Sequence, residues 1–148
     1  MNGGGAGLSA SDVTEVVTAF LRHDGRILVL RRSDAVETYR GRWAGVSGYL
    51  EQAPLDQAPL DQALTEIAEE TGLGPADVTL VKAGDPLLVH DRDADRKWRV
   101  HPFLFEVRDP TRIRLDWEHR ERRWAWPAEI DDLDTVPALA ETLRRVYD

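Results

Sequence analysis

The sequence predicts an α/β fold, a mixed central sheet with a helix covering each side. Three observations predict it. Two apolar runs, residues 13–22 and 26–32, flank His23-Asp24-Gly25, which is a hairpin signal. One helical pattern runs from Pro59 to a stop at Gly72. A second, over 137–147, closes the chain with Leu139, Leu143 and Val146 as its apolar positions. Hairpins with two amphipathic helices require a sheet that is packed on both faces.

The elements follow in order. Residues 13–22 are rich in Val, Thr and Phe and read as a strand, and 26–32 is its return strand. Residues 33–40 are polar and read as a loop. Over 41–50, glycines surround Trp43, Val46 and Tyr49, which suits short strands with close backbone approach. Gln52-Ala53-Pro54-Leu55-Asp56 is then repeated at once as Gln57-Ala58-Pro59-Leu60-Asp61. This reads as a local duplication in a tolerant loop. Pro59 suits a first helical turn. Leu60, Ala63, Leu64, Ile67 and Ala68 follow the i, i+3, i+4, i+7, i+8 spacing and form the expected buried stripe. Residues 78–83, 86–90 and 97–107 read as strands, with a polar turn at 91–96. Two short strands are expected at 113–117 and 122–126, and a brief helix start at 127–130.

Length and charge narrow the function. A chain of 148 residues suits one domain, here 11–148, behind a flexible tail at 1–10. Lys plus Arg is 19 and Asp plus Glu is 27, so the net charge is 19 − 27 = −8. That argues against a nucleic-acid polymer as partner. With no Cys there is no disulfide, thiolate zinc site or Cys nucleophile. No apolar run approaches the roughly 20 residues of a membrane span. The Gly-rich start has neither the basic nor the apolar part of a signal peptide. The expectation is a cytoplasmic protein.

The most informative stretch is Glu66-Ile67-Ala68-Glu69-Glu70-Thr71-Gly72-Leu73. Its acids stand at i, i+3 and i+4, so on a helix they share one face, off the apolar stripe. No Lys or Arg lies among them. Their repulsion is relieved by a hard divalent cation, which points to phosphate chemistry; the bland alternative is a solvated acidic face. Other patterns fail. Asp91, Asp93 and Asp95 start like a calcium loop, but Arg96 and Pro102 occupy the positions that need Gly and Glu. The four His residues have no metal-ligand spacing, and no P-loop is present.

The acidic stretch resembles the Nudix box, G-x5-E-x7-R-E-U-x-E-E-x-G-U, where U is aliphatic. Glu66, Ile67, Glu69, Glu70, Gly72 and Leu73 match it, and Gly48 resembles its opening Gly. Trp117-Glu118-His119-Arg120-Glu121-Arg122-Arg123-Trp124 resembles the acidic loop and Trp-bearing strand that often follow. Thr65 stands at the box Arg and Gln57 at the box Glu, and Gly48 lies 17 positions before Thr65 where the motif has 14. In the family that Arg and Glu brace the loop against the helix. Losing both leaves no unpaired charge, so the loop is read as rebuilt with its acids retained.

The resemblance implies a Nudix α/β/α sandwich. It implies metal-dependent hydrolysis of the pyrophosphate bond in a nucleoside diphosphate linked to another group. Mg²⁺ or Mn²⁺ would be held by Glu66, Glu69 and Glu70, with Glu51 as a fourth acid. The proton acceptor would be one of the box acids, or Glu118 or Glu121. Arg32, Arg40, Arg42, Trp43 and Gly48 are the candidate substrate contacts, and specificity falls to loops 33–42 and 83–97. A homodimer stays open, as does the alternative of a nucleotide-binding or sensor domain of the same fold with little or no turnover.

Overall fold

The computed structural model describes residues 13–50 and 58–147. The expected tail at 1–10, and Glu51 and Gln57 with most of the duplicated segment, lie outside the described residues.

The first hairpin forms as its turn chemistry dictates. β1 (Val13–His23) and β2 (Arg26–Arg32) meet at Asp24 and Gly25, with φ of 52° and 77°. Two consecutive positive φ values match the twist of a tight hairpin. β3 (Trp43–Ala44) and β4 (Val46–Tyr49) are the expected short strands. α1 (Ala58–Thr71) follows, then β5 (Val78–Ala83), β6 (Leu87–Asp91), β7 (Arg96–Val107), β8 (His119–Ala125) and α2 (Leu139–Arg144). β1 and β7 run parallel, and the other pairings are antiparallel. The sheet runs β3-β2-β1-β7-β5, with β4 on β1, β6 on β7 and β8 on β2. The result is the expected mixed sheet with a helix on each side. Ala63 and Ile67 of α1 join Val17, Ala19 and Leu21 in one core layer; Leu139 and Leu143 of α2 join Phe20, Ile27 and Val29 in the other. Among the described residues, no helix is long and apolar enough to cross a membrane.

Three expectations need correction. The buried face of α1 is Ala63, Ile67, Glu70 and Thr71; Leu60 and Ala68 are exposed. The helix is rotated so that polar Thr71 turns inward, where its hydroxyl donates to the Ile67 carbonyl at 2.6 Å. Glu70, expected off the stripe, is therefore inside. Residues 113–117 are not a strand. The Ile113 N–H bonds back to the Pro110 carbonyl, and that of Arg114 bonds the Thr71 carbonyl at the end of α1. The segment thus serves the helix terminus instead of a sheet. Last, α2 is shorter than 137–147, because Ala138 sits at φ 63°, outside the helical region.

Candidate active site

Gly48 decides how the acids of α1 reach open space. A Cβ built there would lie 2.2 Å from the Glu66 carboxyl carbon and 2.4 and 2.5 Å from its oxygens. The missing side chain is the passage through which Glu66 meets the cleft. Gln62 donates to Glu66 Oε2 at 2.7 Å and fixes the carboxyl. Burial raises its pKa first, and the charges of Glu69 and Asp116 add to this, against hydrogen bonds from Glu70 and Gln62.

Glu70 sits one turn on and is 2% exposed. Its Oε1 is 3.5 Å from Nε2 of His119, whose side chain is equally buried. Its Oε2 is buried with no hydrogen-bond partner. Burial pushes the Glu70 carboxyl well above the usual range, followed by its hydrogen bond with Glu66 and the charges of Glu66, Glu118 and Asp116. His119 Nδ1 lies 3.3 Å from Asp116 Oδ1, and burial lowers the imidazole pKa despite that neighbour. Asp116 thus holds one ring nitrogen of His119, and the other faces Glu70 Oε1.

Glu66, Glu69, Asp116 and Glu118 line one end of a cleft of about 710 Å³. Glu118 is half-buried, and its pKa is raised by burial and then by Asp116. Arg32 joins them, its guanidinium held by the Thr38 carbonyl at 2.9 Å and hydroxyl at 3.3 Å. Four expected contacts lie elsewhere. Glu121 pairs with Arg31 at 2.9 Å on the β2–β8 surface. Arg40 donates to the Val36 carbonyl at 2.6 Å. Arg42 lies 3.7 Å from Asp134. Trp43 packs on the α2 side of the core, with Arg31 over its ring. The structure adds Asp116 and His119, which sequence reasoning missed. Asp116 lay one residue before the segment that carried the resemblance. His119 was dismissed on spacing, although its partner comes from another element.

Among the described residues, no three acidic or imidazole side chains stand close enough, as they are, to encage an ion. The donor set still fits a hard cation. Carboxylates crowd together with raised pKa values, and one buried oxygen has nothing to bind. A divalent ion would satisfy that oxygen and remove the repulsion. Glu66, Glu69 and Glu70 are the residues that would hold it.

A family model described as the NUDIX domain matches residues 13–146. Among curated proteins, none matches the chain. Solved structures do. A C. elegans Ap4A hydrolase in a binary complex has a TM-score of 0.66 at 16% identity, over 89% of this chain and 93% of that one. The MutT protein of Methanosarcina mazei has a TM-score of 0.62 at 27% identity, over 90% and 92%. The NUDIX domain of Shewanella oneidensis NrtR, complexed with ADP ribose, has a TM-score of 0.61 at 16% identity, over 89% and 85%.

Proposed function

The chain belongs to the Nudix family, whose hydrolases act on nucleotide pyrophosphates, and from that premise we propose a metal-dependent hydrolase that cleaves the pyrophosphate bond of a nucleoside diphosphate linked to another group. The observation that carries this reading is the unpartnered buried oxygen of Glu70 beside Glu66. Burying a polar atom without a partner costs about 1–3 kcal/mol. Such an atom persists where a ligand completes it.

The chain's residues divide the work. Glu66, Glu69 and Glu70 would hold Mg²⁺ or Mn²⁺. When bound, the ion supplies positive charge against the phosphate oxygens and acidifies a water. Arg32 presents a further positive charge to the phosphates. Glu118, with its raised pKa, takes the proton of the attacking water. The water oxygen bonds to phosphorus as the bridging P–O bond breaks, and the electron pair leaves with the second phosphate. His119 is a positioning residue; held at Nδ1 by Asp116, it faces Glu70 Oε1 with Nε2 and orients that carboxyl.

The second reading is a domain that binds a nucleotide without turnover. Thr65 favours it. Its hydroxyl donates to the Asp61 carbonyl of its own helix at 3.0 Å, so it braces nothing outside the helix. Incubation with a panel of nucleoside diphosphate derivatives and Mg²⁺, with phosphate products assayed, separates the two. Turnover supports the hydrolase; binding across the panel with no product supports the sensor.

A further inference from the structure

The end of the cleft away from the carboxylates is lined by Trp98 and Arg96 of β7 and by Tyr39, from the loop after β2. Tyr39 holds φ of 51°. A residue with a Cβ avoids that left-handed region, and a bulky one keeps it only where its surroundings over-determine it. Here three contacts do so. The Tyr39 ring meets Trp98 edge to face, with centroids 6.1 Å apart and planes at 60°. The Arg42 guanidinium covers the same ring, 5.5 Å from its centroid. The Tyr39 hydroxyl donates to Asp91 Oδ2 at 2.5 Å, at the end of β6. Asp91 itself does not line the cleft. Its Oδ1 accepts from the N–H groups of Asp93 and Ala94 at 3.1 and 3.3 Å, so its own turn fixes the carboxylate that Tyr39 meets.

One peptide plane carries this arrangement to the acid end. The Thr38 carbonyl belongs to the planar unit that joins Thr38 to Tyr39, so rotation about φ of Tyr39 swings that carbonyl. As it stands, the carbonyl accepts from Arg32 Nε at 2.9 Å, and the Thr38 hydroxyl accepts from Nη2 at 3.3 Å. Among the described residues, these are the only hydrogen bonds of the Arg32 side chain, and they leave Nη1 for a ligand. Arg32 pairs with His119 across β2 and β8, next to Glu118, and lines the cleft there. The start of the loop is secured separately. The Ser33 N–H donates to the Glu118 carbonyl and its hydroxyl to the Trp117 carbonyl, both at 2.8 Å. The turn at Tyr39 is the part that depends on Asp91.

We propose that Asp91 is a positioning residue for the phosphate contact: its bond to Tyr39 holds the left-handed turn from which the Thr38 carbonyl aims the Arg32 guanidinium. Without that bond Tyr39 relaxes toward an ordinary φ, and Arg32 loses its direction. Asp91 therefore strengthens diphosphate binding from outside the cleft, without touching the substrate. This deepens the hydrolase reading and rests on it for the placement of the diphosphate at Arg32.

Three measurements test it: calorimetric binding of inorganic diphosphate with Mg²⁺, exchange of the Arg32 Nε–H in ligand-free protein by NMR, and steady-state kinetics on nucleoside diphosphate derivatives. Asp91→Ala and Tyr39→Phe should each weaken diphosphate binding by roughly 3- to 10-fold and speed the Arg32 exchange. KM should rise by a similar factor while kcat stays within about twofold, as for lost uniform binding. Asp91→Asn should restore most of the loss, because its amide oxygen accepts from the turn and its NH₂ donates to the phenol oxygen. In an Arg32→Ala background, Asp91→Ala should add nothing. Should Asp91→Ala fail to fold, Tyr39→Phe deletes the same bond and keeps the ring. Unchanged exchange and binding in a folded variant overturn the proposal. So does a loss that persists in full without Arg32, or an Asp91→Asn variant as weak as Asp91→Ala, which would assign the effect to charge. Diphosphate binding that follows the expected pattern, but without turnover of any derivative, upholds Asp91 and defeats the hydrolase. Turnover whose KM ignores both substitutions does the reverse.

Discussion

The two ends of the cleft differ in how completely their polar atoms are satisfied. At the acid end, Glu66 and Glu118 have raised pKa values, as does Glu70, which does not itself line the cleft and whose Oε2 has no partner. At the aromatic end, the Tyr39 hydroxyl is tied to Asp91, and burial with that bond pushes its pKa up to about 12. Asp91 is lowered by the same bond. The contrast is between a buried carboxylate oxygen left over at one end and a phenol–carboxylate pair already made at the other.

The largest effect that could break this contrast is loss of an acid. Glu69→Gln or Glu70→Gln should lower turnover by about 10²-fold or more in a folded protein. Full activity in both, measured by phosphate release, would remove the proposed mechanism. Gly48→Ala comes next. Its methyl must displace the Glu66 carboxyl, so Mn²⁺ affinity, read by paramagnetic resonance, should fall roughly 10- to 100-fold. His119→Gln should show a loss of the same order, because Glu70 then lacks its orienting partner. Unaltered Mn²⁺ affinity in these variants would mean that the site lies elsewhere.

A smaller effect concerns stability. Glu70 binds its proton more tightly folded than unfolded, so its contribution is full below the ordinary glutamate pKa, about 4.3. It is lost as pH rises from there through the raised folded value. His119 works oppositely: its pKa is lowered, so its contribution is present above about 6.5 and lost as pH falls. The difference curve between wild type and Glu70→Gln isolates the first. In metal-free protein near pH 7, Glu70→Gln should gain about 1 kcal/mol, roughly 3–5 °C in Tm. An unchanged Tm across pH would show that Glu70 is not strained. Smallest is Glu121→Gln. An exposed pair with Arg31 contributes about 0–1 kcal/mol, so turnover should stay within about twofold. A larger loss would extend the acid end onto β8.

Much of this was legible in the sequence, for reasons that vary by element. The hairpin at Asp24-Gly25 was readable because its turn fixes backbone angles locally. The box acids were readable because spacing on a helix fixes their common face. The rotation of α1 was not, since five apolar residues suggested one stripe while the sheet selected another. Residues 113–117 misled because Ile113 and Leu115 alternate like a strand, yet their backbone is claimed by the helix end. His119 and Asp116 were hidden because a through-space cluster has no sequence period. The link between the two loops was half visible: 33–42 and 83–97 were assigned specificity, but their union through Tyr39 and Asp91 was not.

That union constrains any attempt to retarget the protein by loop grafting. The phenol comes from one loop and the carboxylate from the hairpin opposite, so neither segment can be exchanged alone. A transplanted 33–42 without tyrosine would strand Asp91, and a new β6–β7 turn would release Tyr39 from its strained backbone. Altered selectivity should therefore be sought in libraries that vary both segments together.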